Sequence, residues 1–297
     1  MLWRRVVGRS PRSWQLPPSS FSVRGLRSLG PSPGHGDPES HPRSFYDGGR
    51  YYALDDFLKH AERLVADGAD LLDVGARPGG VGAHPVSENE ECDLAVEAIE
   101  SLRVRFDVPV SVDRWSARVA AAAFSAGAVL GNDMSGFRDP GFLPAAVAVG
   151  ASVVATHIRR PPGEADPNPL YRDVVADVAD ALRALARHAV SAGVPPERVV
   201  VDPGLDLGKT SSQSLQLLAS TEVLVRLGHP LLVAPATRSF SGELDLPKDD
   251  RGSATVAACT LAAVVGGRVL RVHDVRAGRH VAGLVATVLA CRDEPRT

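Results

Sequence analysis

The sequence predicts an α/β protein built as a (β/α)8 TIM barrel whose first strand is atypical or missing. Six short runs rich in Val, Leu and Ala each end on a polar or charged residue and then give way to a helix-like stretch. Near-continuous apolar strands suit a parallel sheet buried on both faces. Polar residues at strand carboxyl ends are where such a barrel carries its chemistry. The length of 297 residues is close to the ~250 typical of one such domain, so one barrel is expected.

In chain order the runs are 71–75, 108–113, 128–133, 152–157, 199–203 and 269–273, and residues 230–234 supply a seventh. Between them, Leu54, Phe57, Leu58, Ala61 and Leu64 recur at helical spacing, as do Ala95, Val96, Ile99 and Leu102. Residues 174–190 read as a longer helix stopped near Gly193, and 253–265 as a small, apolar one. The loop 159–168, with Pro161, Pro162, Gly163 and Pro167, is expected to be a mobile, lid-like segment. The remaining strand should precede Leu54, but residues 30–42 hold four prolines and no apolar run. Proline removes a ladder donor, so this is no ordinary barrel strand; residues 21–26 could substitute for it.

Composition excludes some classes. With 33 basic against 35 acidic residues the net charge is −2, without the basic field of a nucleic-acid binder. No apolar run approaches the ~18 residues of a membrane span. Cys92, Cys259 and Cys291 lie far apart without metal-type spacing, which favours inert, reduced thiols. The first 36 residues carry six arginines and seven serines and no acidic residue. That reads as a disordered leader or an organelle transit peptide. Residues 1–43 are therefore set outside the fold and 44–297 form the barrel. The expected location is the cytoplasm, or an organelle matrix if the leader is a transit peptide.

Two segments carry chemistry. In Val201-Asp202-Pro203-Gly204-Leu205-Asp206-Leu207-Gly208-Lys209, a buried strand ends on a carboxylate, turns, and offers a lysine seven residues later. Such a carboxylate can accept two hydrogen bonds from an amidine-like ring edge, or simply cap its own turn. In Arg271-Val272-His273-Asp274, Arg271 and His273 share a strand face and form a fork for phosphate or diphosphate. The blander alternative is an arginine paired with Asp274 or a histidine satisfied by a carbonyl. Asp113, Asn132 and His157 also stand at strand ends, where each could be a cap.

Taken in order, SFYDGG (44–49), GADLLDVG (68–75), SVD (111–113), GAVLGND (127–133), DPGLDLGK (202–209), TRSFSG (237–242) and RVHDV (271–275) resemble the dihydropteroate synthase family. The resemblance implies a pterin-binding barrel that condenses 6-hydroxymethyl-7,8-dihydropterin pyrophosphate with p-aminobenzoate in folate biosynthesis. It further implies that Asp113, Asn132, Asp202, Lys209 and Arg238 hold the pterin. Arg271, His273 and Arg238 would be catalytic, with Mg2+ accompanying the pyrophosphate. The two small molecules are the expected partners, with a homodimer formed through helices on one side, near residues 254–263.

The departures cluster. The family's NVTPDSF becomes Glu39-Ser40-His41-Pro42-Arg43-Ser44-Phe45, leaving Glu39 as the one metal candidate. The family's GGESTRPG loop loses its Thr and Arg to Gly79 and Gly80, with Arg77-Pro78-Gly79 a possible shifted remnant. Arg238 replaces the lysine of SRKSF, and Asp206 adds a carboxylate to the DPGFGFGK segment. One donor lost from a developing anion typically costs about 3 kcal/mol. The expectation is reduced or lost synthase activity. The alternatives are a non-catalytic pterin-binding paralogue with a structural or regulatory role, or another barrel that binds a different heterocyclic phosphate.

Overall fold

The computed structural model of the chain describes residues 22–28, 48–75, 87–164, 166–235 and 251–293. Among the described residues there are eight strands: β1 (Ser22–Ser28), β2 (Leu71–Gly75), β3 (Val110–Asp113), β4 (Leu130–Asp133), β5 (Ser152–Thr156), β6 (Val199–Asp202), β7 (Leu232–Val233) and β8 (Val269–Val272). They form one parallel sheet in the order β6-β5-β4-β3-β2-β1-β8-β7. The sheet curls round until its outer strands meet through a single parallel bridge between Val201 and Leu231. Helices α1 (Gly48–Ala66), α2 (Glu88–Arg105), α3 (Ala117–Ala126), α4 (Phe142–Val149), α5 (Val174–Ser191), α6 (Ser211–Ala219), α7 (Thr221–Val225), α8 (Arg251–Val264) and α9 (Val275–Asp293) fill the crossovers. No helix among the described residues is long and apolar enough to cross a membrane.

Strand period sorts the core into two compartments. Leu71, Leu130, Val154, Val200, Leu232 and Val269 form a cluster of their own inside the ring. Their neighbours Leu72, Val110, Val112, Val153, Val199, Val201, Leu270 and Val272 pack outward in the large cluster shared with the helices. Each such side chain contributes roughly 1.5–3 kcal/mol on burial. The helix starts are fixed locally. Ser87 and Glu90 form a reciprocal capping box on α2, and Thr210 and Gln213 form another on α6. Asp173 caps α5 through the amides of Val175 and Ala176.

Gly204 is required on two counts. Its φ is +60°, and a Cβ there would sit 2.4 Å from the His157 carbonyl oxygen. Gly204→Ala is expected to lower stability by about 2–3 kcal/mol, strain and clash together. A urea midpoint unchanged from wild type would show that the turn can move aside.

The substitute offered at residues 21–26 is where the opening strand lies: β1 at Ser22–Ser28 pairs with both β2 and β8, so this part of the stretch set outside the fold as 1–43 belongs to the sheet. The segment SVRGLRS carries no apolar run, so its strand conformation is imposed by two waiting neighbours rather than by its own pattern. The loop 159–168 carries its own charge pairs. Asp166, whose side chain is 4% exposed, faces both Arg159 (3.3 Å) and Arg160 (3.6 Å), and the Arg159 guanidinium lies 4.9 Å from the Tyr171 ring centre. These pairs join the two ends of the loop to each other.

Candidate functional site

The polar end of the barrel follows from the same two-residue period. Two positions past the interior cluster stand Asp73 on β2, Asn132 on β4, Thr156 on β5, Asp202 on β6, Ala234 after β7 and Arg271 on β8. β3 adds Ser111 and Asp113. An apolar plug is thus roofed by acids, amide, hydroxyl and guanidinium at the carboxyl ends, the face where barrels of this class place their sites.

Arg271 ties the roof together. Its Nε donates to Asp73 Oδ2 at 3.1 Å and its Nη2 to Asp113 Oδ2 at 2.5 Å. Ser111 Oγ donates to the other Asp73 oxygen at 2.5 Å. Burial opposes the Arg271 charge, but the carboxylates of Asp113, Asp73 and Asp202 more than offset it and raise its pKa above the ordinary value. The arginine therefore pairs across the ring with two acids and not with Asp274, which instead accepts from the Ala277 amide in the first turn of α9.

Behind Asp113, Arg114 Nη1 donates to its carbonyl at 2.9 Å, and the same guanidinium is ion-paired with buried Glu91 in the first turn of α2. On β4 the two polar residues divide their tasks. Asp133 accepts from the Ser135 amide (2.6 Å) and the Phe137 amide (2.9 Å), holding the turn, and burial raises its carboxyl to about 6. Asn132 is 2% exposed, and its Oδ1 has no hydrogen-bond partner among the described residues.

Asp202 Oδ1 accepts from the Gly204 amide at 2.7 Å, so one oxygen does cap its own turn. Burial pushes this carboxyl up to about 6. Lys209 Nζ reaches back over the same turn to the carbonyls of Gly204 (2.7 Å), Leu207 (3.2 Å) and His157 (3.4 Å). Burial lowers it to about 7. His157 is buried too, and burial followed by the nearby Lys209 charge lowers its pKa to about 3, so it is neutral.

The structure thus gathers Asp113, Asn132, Asp202, Lys209 and Arg271 at one end of the barrel. His273 lies just beyond β8, exposed, its pKa lowered by desolvation and by Arg271. Arg238, Glu39, Arg77, Gly79 and Gly80 lie outside the described residues. Asp73 was visible only as a strand end, and the Glu91–Arg114 pair escaped the sequence reading. Its signal was there: Glu91 falls on the buried stripe of Ala95, Ala98 and Leu102, where an acid needs a partner.

Mg2+ prefers several oxygen ligands at near-octahedral positions. Among the described residues no three His, Cys, Asp or Glu side chains converge to hold a metal ion. Asp73 and Asp113 already face a guanidinium. Glu39, the metal candidate, lies outside the described residues, and Mg2+ is commonly held by one or two carboxylates together with substrate phosphates.

Residues 40–273 match the family profile described as pterin binding enzyme. The chain is 35% identical over 250 residues to a dihydropteroate synthase of Bacillus subtilis (strain 168), spanning 84% of this chain and 85% of that one. It is 39% identical over 263 residues to an inactive dihydropteroate synthase 2 of Mycobacterium leprae (strain TN), covering 86% and 90% respectively. The crystal structure of Yersinia pestis dihydropteroate synthase in a sulfonamide drug complex superposes with a TM-score of 0.80 at 33% identity, over 93% of this chain and 96% of that one. A match of that extent, on a barrel whose open end carries the acids, amide, lysine and arginine just described, makes the chain a dihydropteroate synthase-like protein that belongs to the pterin binding enzyme family.

Proposed function

We propose that this chain binds 6-hydroxymethyl-7,8-dihydropterin pyrophosphate in the barrel mouth and that its condensation with p-aminobenzoate, a step of folate biosynthesis, is strongly slowed or lost. The observation that carries the first half is the buried Asn132 amide oxygen, without a partner among the described residues, beside the strand ending in Asp113 and one strand removed from the one ending in Asp202. A buried polar atom left open points to something outside the chain that completes it. In this reading Asp202 and Asn132 grip the ring edge, Lys209 keeps the turn beneath it in place, and Asp113 orients Arg271.

The second half rests on charge. The condensation needs donors aimed at a departing diphosphate, yet the Arg271 guanidinium is already shared between two acids. The loop that would supply a further hydroxyl and arginine reads Gly79-Gly80 instead. Arg238 and His273 complete the proposed machinery, His273 as a neutral imidazole at the rim. A homodimer is part of this reading, supported by exposed Leu261 and Val264 on α8 and Leu284 and Val288 on α9.

Calorimetry with the pterin pyrophosphate should give binding that Asp202→Asn weakens about tenfold or more, one charged hydrogen-bond pair being lost. The same protein with p-aminobenzoate should turn over well below about 1 per second. Equal affinities for wild type and Asp202→Asn would remove the pterin reading, and ordinary turnover would remove the loss of activity.

A further inference from the structure

One hydroxyl at the mouth is used by nothing among the described residues. Thr156 ends β5, is 1% exposed, and its Oγ1 has no hydrogen-bond partner among the described residues. Folded proteins rarely leave a buried hydroxyl unpaired, because desolvating it gains nothing in return. Its direction is set by strand period. Val154, two residues earlier, belongs to the apolar cluster inside the ring, so Thr156 faces the barrel axis as well. Thr156 is in register with Asp202 on β6, and Asn132 on β4 is in register with Val154, which places Asn132 diagonally across from it. Three consecutive strands therefore offer an amide, a hydroxyl and a carboxylate to the same space, and the hydroxyl and the amide oxygen are both open.

We infer that Thr156 is a further specificity-determining residue, its hydroxyl hydrogen-bonding the polar edge of the flat heterocycle held between Asn132 and Asp202. The inference rests on the pterin-binding reading above. A hydroxyl both donates and accepts, so it bridges a carboxylate that only accepts and an amide that does both. A site built this way favours a ring with nitrogen or oxygen at that edge. It rejects an analogue with carbon there, whose binding would leave the hydroxyl buried and unpaired.

Thr156→Val removes the hydroxyl while keeping the branched shape, and Thr156→Ser keeps the hydroxyl. Calorimetry of the full chain with 6-hydroxymethyl-7,8-dihydropterin pyrophosphate should show the Val variant about tenfold weaker and the Ser variant within about threefold of wild type. Thermal unfolding without ligand should show the Val variant at least as stable as wild type, since no internal hydrogen bond is lost. Unchanged affinity in Thr156→Val overturns the inference. A Val variant that is destabilised or fails to fold while the Ser variant folds normally also overturns it, because the hydroxyl would then be serving the chain itself. Asp202→Asn, run alongside, separates the two readings. If it weakens binding and Thr156→Val does not, only the role of Thr156 falls. A wild-type protein that does not bind the pterin pyrophosphate overturns both.

Discussion

Arg271→Met should destabilise the protein by about 3–5 kcal/mol, the range seen when one partner of a buried ion pair is removed. The arginine lies between Asp73 and Asp113, which are 2% and 7% exposed. Without it, two acids share the roof of the barrel with no cation between them. Part of the loss should return in the double variant Arg271→Met with Asp113→Asn, because one stranded charge has gone. Urea unfolding of the three proteins measures this. A loss below about 1 kcal/mol in the single variant would mean that the pairs are solvated and contribute little, as surface pairs do. Pterin affinity should fall in both variants, since Asp113 loses its orientation or its charge.

A second large effect lies in the pH dependence of stability. Asp202 titrates near 6 in the folded protein against 3.8 ordinarily. Between about pH 4 and 6 the folded form keeps a proton that the unfolded chain has released, so its contribution to stability falls as pH rises through that window. Two units correspond to roughly 3 kcal/mol. Lys209 titrates near 7 against 10.5. Between about 7 and 10.5 the unfolded chain holds the extra proton, so stability rises with pH there. Lys209 is only partly buried, which cuts this limb to about 2–3 kcal/mol after solvent screening. Asp133, near 6, acts in the direction of Asp202, whereas His157, near 3 against 6.5, acts oppositely. The two groups must therefore be isolated by difference. Subtracting the Asp202→Asn curve from wild type should give the acid limb, and subtracting Lys209→Met the alkaline one. Flat difference curves would show that neither group is desolvated as the geometry requires.

The sequence made much of this mouth legible because a buried parallel strand writes its direction into its composition. Leu71 to Asp73, Val200 to Asp202 and Val269 to Arg271 each step from plug to polar roof in two residues. What it did not show is pairing across the ring. Arg271 and Asp73 are 198 residues apart, and no local pattern says that an arginine on the last strand will reach past β1 to an acid on β2. SVRGLRS was legible only as a substitute strand at 21–26, because hydrogen bonds from both sides rather than an apolar pattern impose it. The Glu91–Arg114 pair failed for the same reason: each residue looks like surface until its partner is known.

The closure of the ring also has a mechanical consequence. Among the described residues the strands on either side of the seam are joined by one bridge, at Val201 and Leu231, and β7 and β8 pair over two residues, whereas the other neighbours are laddered over three to five. Breathing motions cost least where the fewest backbone links must part. That weakest stave joint runs beside Asp202, so the barrel wall is least tightly laced on the side that holds the carboxylate.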